Sequence, residues 1–164
     1  MHSIPNKVSA YVDAASEAAG SRSPFWNSES EEVREEGMYQ LAFELDVEDR
    51  EKFLESLPKG YSAVHWIFTW EQSRAGEGFC TGTDNSGVET VEQAAFWYAY
   101  LGMTEEAAAL KEMLCQYMIT PGHVDAVDTA YHSIENPYFE DWDRIPRVVY
   151  ELCNRARELF YDPA

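Results

Sequence analysis

The chain is poor in positive charge, in cysteine and in long apolar runs, and each shortage excludes something. Lysine and arginine number 12 against 30 aspartates and glutamates, a formal charge of −18 over 164 residues. A field of that sign repels nucleic-acid phosphates and anionic lipid, so direct nucleic-acid or membrane-surface binding is not expected, and any charged partner should be positive. The three cysteines, Cys80, Cys115 and Cys153, are odd in number and form no CxxC pair, which excludes a disulfide framework and fits a reducing cytoplasm. No stretch of apolar residues is long enough to span a membrane, and the first twenty residues lack the cationic start and apolar run of a signal peptide.

What is present argues for a folded helical domain. Apolar residues make up 45% of the chain and aromatics 14%, enough bulk for a packed interior and too much for intrinsic disorder. The length suits one domain, residues 1–164. Apolar residues recur at helical spacing, as in Val8, Tyr11, Val12 and Ala15, and again in Val148, Val149, Leu152, Ala156, Leu159 and Phe160. Asp46, Ser62, Thr104 and Thr120 with Pro121 suit helix N-caps, because their oxygens can accept amide protons left unpaired in a first turn. Stops fall at Pro58-Lys59-Gly60, Gly102 and Asn136-Pro137. These signals predict an all-α, single compact domain of about seven to nine helices. One Gly-rich mid-chain loop is expected, AGEGFCTGTDNSG from Ala75 to Gly87, an ordered turn-rich segment rather than a helix.

Motifs of chemistry are weak. The loop has Gly76-Glu77-Gly78 but neither GxGxxG spacing nor a following GK[ST], and Glu77 and Asp84 would repel phosphate. Asp125, Asp128 and His132 would share one helical face, yet a single histidine among acids and the absence of HExxH leave no metal site expected. His65 reads as a core or boundary residue bonded to backbone, since no nucleophile motif accompanies it. Glu71, beside Trp66 and Trp70, is the best single candidate for acid-base chemistry, although a glutamate accepting hydrogen bonds from the following loop is the plainer reading. No cofactor and no catalytic residue are expected.

Negative charge is clustered. Residues 29–55 hold eleven acids against Arg34, Arg50 and Lys52, a local net charge of −8. Glu31, Glu32, Glu35 and Glu36 form pairs four apart on one helical face, where like charges cost stability. Such crowding is either a solvated face or a used one, in which carboxylates stand in for the phosphates of a duplex. With Glu29, Asp46, Glu48, Asp49, Glu51 and Glu55 they form the candidate partner-binding array. A second acidic segment, ENPYFEDWD, mixes Glu135, Glu140, Asp141 and Asp143 with Tyr138, Phe139 and Trp142, a blend that suits a protein interface as well as a loop anchored by its aromatics.

Around the mid-chain glycines the sequence resembles the DMP-type family of bacterial DNA-mimic proteins, whose signature is a helix carrying Glu followed by an NGGFxQFFxNSxG loop. Here Glu71 precedes Gly76, Gly78 and Phe79, and Asn85, Ser86 and Gly87 follow at the family's spacing. Downstream, VEQAAFWYAYLGMTEEAAALKEML is similar to the family's paired helices around a Leu-Gly turn, with Leu101, Gly102, Ala107 and Leu110 in matching places. The resemblance covers about residues 35–155, and departs from the family at Glu77, Thr81, Gly82 and Thr83. It implies an all-α fold, frequent dimerisation, and occupation of the DNA-binding face of a helix-turn-helix regulator.

Charge and resemblance together lead to the expectation of a non-enzymatic, cytoplasmic acidic protein that binds a basic DNA-binding protein and blocks its nucleic-acid surface, with a homodimer possible. An immunity-type inhibitor of a toxic nuclease is the alternative, ahead of an enzyme centred on Glu71. Acidity that serves only solubility or a high-salt habitat is the plainest rival.

Overall fold

The computed structural model describes residues 2–75, 78–119 and 141–164. Among these it contains nine α-helices and no strand, within the number that apolar spacing and capping predict. In chain order they are α1 (Ser9–Ala18), α2 (Glu31–Glu44), α3 (Arg50–Glu55), α4 (Lys59–Arg74), α5 (Gly78–Ser86), α6 (Val88–Tyr100), α7 (Thr104–Ile119), α8 (Arg144–Asn154) and α9 (Ala156–Leu159), with one 3-10 turn at Phe25–Asn27. Their contacts gather into two units, residues 1–68 with 145–164, and residues 69–144.

In the first unit α1 packs on α2, and both terminal apolar patterns point inward: Val8, Val12, Ala15, Val148, Val149, Leu152, Leu159 and Phe160 are all buried. Ser30 caps α2 by accepting from the Val33 amide at 3.3 Å. Gly37 lies under the ring of Phe25, where a Cβ would come within 2.2 Å of a ring carbon, so only glycine lets the 3-10 turn sit against α2. Trp26 stacks on Phe160 with ring centroids 4.9 Å apart and meets Phe25 and Tyr161 edge-on. The Tyr61 hydroxyl donates to the Phe160 carbonyl at 2.7 Å, which fixes this aromatic group to α4.

In the second unit α6 packs on α7 and α5 on α6. The Leu101-Gly102 turn is a Schellman cap: Gly102 takes φ +85°, its amide donates to Ala99 and the Met103 amide donates to Tyr98, which satisfies the last carbonyls of α6.

Three expectations are corrected. The mid-chain loop is helical from Gly78 to Ser86, and only the positions around it carry turn geometry, with Gly78 and Gly87 at positive φ. Glycine is tolerated inside α5 because a Cβ on Gly82 would stand 2.8 Å from the Arg74 Cα: the residue permits close approach of α4. Thr83 and Ser86 turn their hydroxyls back onto the Phe79 and Gly82 carbonyls, so the small polar residues bond within the helix rather than unwinding it. Asp46 does not cap α3, which starts at Arg50 after Asp49 in the left-handed region, and Asp46 instead accepts from Arg50 at 3.0 Å. Ser62 lies inside α4, with its hydroxyl 3.5 Å from the Leu54 carbonyl, because that helix already begins at Lys59 and runs through Gly60. The break between α3 and α4 does fall at residues 56–58, beside the expected Pro58-Lys59-Gly60 stop, with Gly60 itself in the first turn of α4. That glycine is buried beneath the Leu159 carbonyl, 2.7 Å from where a Cβ would sit. The expected signals at Thr120-Pro121 and Asn136-Pro137 lie outside the described residues.

Candidate functional site

The acidic array begins where α2 begins. Ser30 stops the preceding chain and holds the first turn, and the helical repeat then sets Glu31 beside Glu35 and Glu32 beside Glu36, roughly 6 Å apart along the axis. Glu29, Glu31, Glu32 and Glu36 are exposed and Glu35 is half-buried. Burial, then the charges of Glu31 and Glu36, push the Glu35 carboxyl above its ordinary value. Like charge thus adds to burial at Glu35.

The helix dipole accounts for part of this pattern. Acids in a first turn are favoured by the positive end of the helix, so Glu31 and Glu32 stabilise α2 locally. That effect fades beyond the first turn, and Glu35 and Glu36 receive little of it. No ion pair relieves Glu29, Glu31, Glu32, Glu35 or Glu36 among the described residues. Arg34, the cation of α2, is half-buried and donates to the Ser28 carbonyl at 2.8 Å instead. With Ala18 and Ala19 of the first helix end, Val33 and Tyr39, the four glutamates wall an open groove.

The continuation of the array is more mixed. Glu48, Asp49, Glu51 and Glu55 are exposed and free of ion pairs among the described residues, but Asp46 is bound to Arg50, and Lys52 stands exposed on α3. Arg50 also covers the Trp66 ring at 5.0 Å. Residues 29–36 are therefore the denser negative patch and residues 46–55 a diluted one.

Of the second acidic segment, Glu135 and Glu140 lie outside the described residues, as do His132, Asp125 and Asp128. Asp141 accepts from the Asp143 amide at 3.1 Å, Asp143 is exposed, and Trp142 is 84% exposed, so this tryptophan does not anchor its segment to a core. Among the described residues no group of three or more His, Cys, Asp and Glu could hold a metal ion, and no helix is long and apolar enough to cross a membrane.

Glu71 is buried in α4 within the second unit, and its carboxylate is the acceptor of a dense set of donors. Arg144 donates from Nε to Oε1 at 3.1 Å and from Nη2 to Oε2 at 2.8 Å, in the bidentate fork. Arg74, one turn on, donates twice to Oε2, at 2.9 and 2.6 Å, and the Tyr98 hydroxyl donates to Oε1 at 2.7 Å. A carboxylate so occupied suits an anchor better than a proton carrier. Among the described residues its donors are a helical neighbour, a tyrosine of α6 and an arginine 73 residues away; nothing in the local sequence signals the last two.

The other family-motif residues are structural as well: Phe79 is buried edge-on to Trp70, and Asn85, Ser86 and Gly87 close α5. Gly76 lies outside the described residues. His65 is fully buried, its Nδ1 facing the Ala42 carbonyl at 3.4 Å and its Nε2 without a partner among the described residues. Burial, then the nearby Arg50 charge, pulls this imidazole down to about 4. The three cysteines are free thiols.

Comparison with protein-family models, with curated proteins and with solved structures finds no match to this chain.

Proposed function

We propose that the protein is an acidic mimic of duplex DNA, which binds a basic DNA-binding protein and occupies its nucleic-acid surface with the glutamate ridge of α2. The observation that carries this reading is the lack of any ion pair at Glu31, Glu32, Glu35 and Glu36 among the described residues: four carboxylates crowd one helix end, relieved only by the Gln40 amide that donates to Glu36 at 2.7 Å, while the neighbouring Arg34 donates to the Ser28 carbonyl instead. A coat that served solubility alone gains nothing from such crowding, and interspersed charges of both signs would be cheaper. Axial steps of roughly 6 Å between ridge carboxylates compare with about 3.4 Å per phosphate along one DNA strand, so the ridge would match alternate phosphates. Glu29 extends the ridge at its start, and Asp46, Glu48, Asp49, Glu51 and Glu55 would steer approach rather than dock. Kinship with the DNA-mimic family belongs to the same proposal and rests on the motif residues around Glu71 and Gly102.

The test is affinity capture from native lysate with and without competing duplex DNA, followed by titration of the captured protein against the wild-type chain and the Glu31, Glu32, Glu35 and Glu36→Gln variant. The expected partner is basic, is released by duplex DNA, and binds more weakly by roughly tenfold or more between low and physiological salt. A nuclease in its place would move the reading to the inhibitor alternative. A partner that binds chain and DNA together, or ignores both salt and the four substitutions, refutes it.

A further inference from the structure

Cationic side chains are scarce here, yet two of the 12 lysines and arginines line one pocket. It lies in the first unit, measures about 700 Å3, and is walled by Arg155, Arg157, His2, Asn27, Asn154 and Tyr161. That volume is within the range of small-molecule sites. Arg157 is exposed and has no ion-pair partner among the described residues, while Arg155 shares its guanidinium with Glu158 at 3.1 Å, so the pocket keeps a net positive charge. The amides of Asn27 and Asn154 make no side-chain hydrogen bond among the described residues. Tyr161 accepts the Trp26 indole proton at 3.0 Å, which leaves its own hydroxyl proton to give.

The tyrosine and the chain beside His2 are held in place. Tyr161 is fixed by the Trp26 contact within the aromatic stack on Phe160, and the Asp162 amide donates to the Ser3 carbonyl at 2.8 Å, which pins the residue next to His2. Cys153 also faces the pocket, but burial, opposed by the Arg34 charge, pushes its thiol up to about 11, so it is a neutral wall and not a nucleophile. The ligand must be small. Beyond about 10 Å the surrounding negative charge is screened for a compact ion, whereas a polyanion would meet the whole field.

We infer that this pocket binds a phosphate-bearing small molecule, its phosphate gripped by the guanidinium forks of Arg157 and Arg155 and by the Tyr161 hydroxyl, and its polar body by the Asn27 and Asn154 amides. Three acceptor oxygens on a phosphate match this convergence of donors. The site is independent of the α2 ridge.

Titration of the full chain with glycerol 3-phosphate, against glycerol and against sodium chloride at matched ionic strength, tests it by calorimetry and by NMR shifts of the Asn27 and Asn154 side-chain amides. Saturable binding is expected that Arg157→Gln weakens by about tenfold and Tyr161→Phe by several-fold. Far-UV circular dichroism of both variants should match wild type. The Glu31, Glu32, Glu35 and Glu36→Gln variant should bind the phosphate ester at least as well, which separates this inference from mimicry. No saturable response beyond the salt control, an Arg157→Gln variant that binds like wild type, or shifts confined to residues outside the pocket would overturn it.

Discussion

Two glutamates, Glu35 of α2 and Glu71 of α4, meet opposite fates. Glu35 shares a ridge with Glu31 and Glu36, stays half in water, and has its carboxyl raised by burial and by those neighbours. Glu71 is almost wholly buried and is met by two guanidinium groups and a phenol. The first carboxylate is a cost the fold carries, the second a tie the fold depends on. Like charge left without counter-ions weakens the fold that carries it, whereas a buried charge persists only where its partners neutralise it.

The largest effect should come from breaking the tie. Glu71→Ala leaves Arg144 and Arg74 facing a cavity and should destabilise by about 3–5 kcal/mol, a fall in Tm of roughly 10 °C by calorimetry. Glu71→Gln, which keeps the shape and loses the charge, should fall between. A variant as stable as wild type would dissolve the contrast.

Acid adds a second contrast, because Glu35 and the buried His65 respond with opposite sign. His65 is held near 4, below the unfolded value of about 6.5. The neutral imidazole therefore supports stability above about pH 6.5, and that support is lost as the pH falls from there towards 4, by a total of about 3 kcal/mol. Glu35 is raised, so its penalty is present at neutral pH and is relieved as the pH drops through its folded-state value. Urea unfolding at pH 7.5 and at pH 4.5 should show net acid loss in wild type and a much flatter profile in His65→Leu.

The smallest effect lies on the ridge itself. Glu35→Gln removes two like-charge contacts and should raise stability by about 0.5 kcal/mol, or 1–2 °C in Tm, at low salt, with the gain shrinking at high salt. A loss of stability would mean that Glu35 has a favourable contact and that the ridge is not under self-repulsion.

The terminal helices were legible because their apolar spacing is the direct imprint of burial, as Val8, Val12 and Ala15 at one end and Val148, Val149 and Leu152 at the other illustrate. Gly102 was legible because a positive φ after a helix has few other solutions. Residues 78–86 were not, since glycine, threonine, aspartate, asparagine and serine, which disfavour helix in isolation, are overridden by packing of Phe79, Cys80, Gly82 and Thr83. The α2 glutamates announce themselves by spacing, but the bond from Arg34 to the Ser28 carbonyl does not, and Arg144 stands 73 positions from Glu71 in the sequence, beyond the reach of any local pattern.

The bare backbone at Gly82 carries a genetic consequence. What a larger side chain would strike is the Cα, Cβ and amide nitrogen of Arg74, and of these the Cα and the amide nitrogen belong to every amino acid, glycine included. Trimming Arg74 to alanine would therefore leave the obstruction standing. A selection for suppressors of Gly82→Val should therefore return changes at 82 itself and none at 74, where no substitution removes the Cα that stands closest.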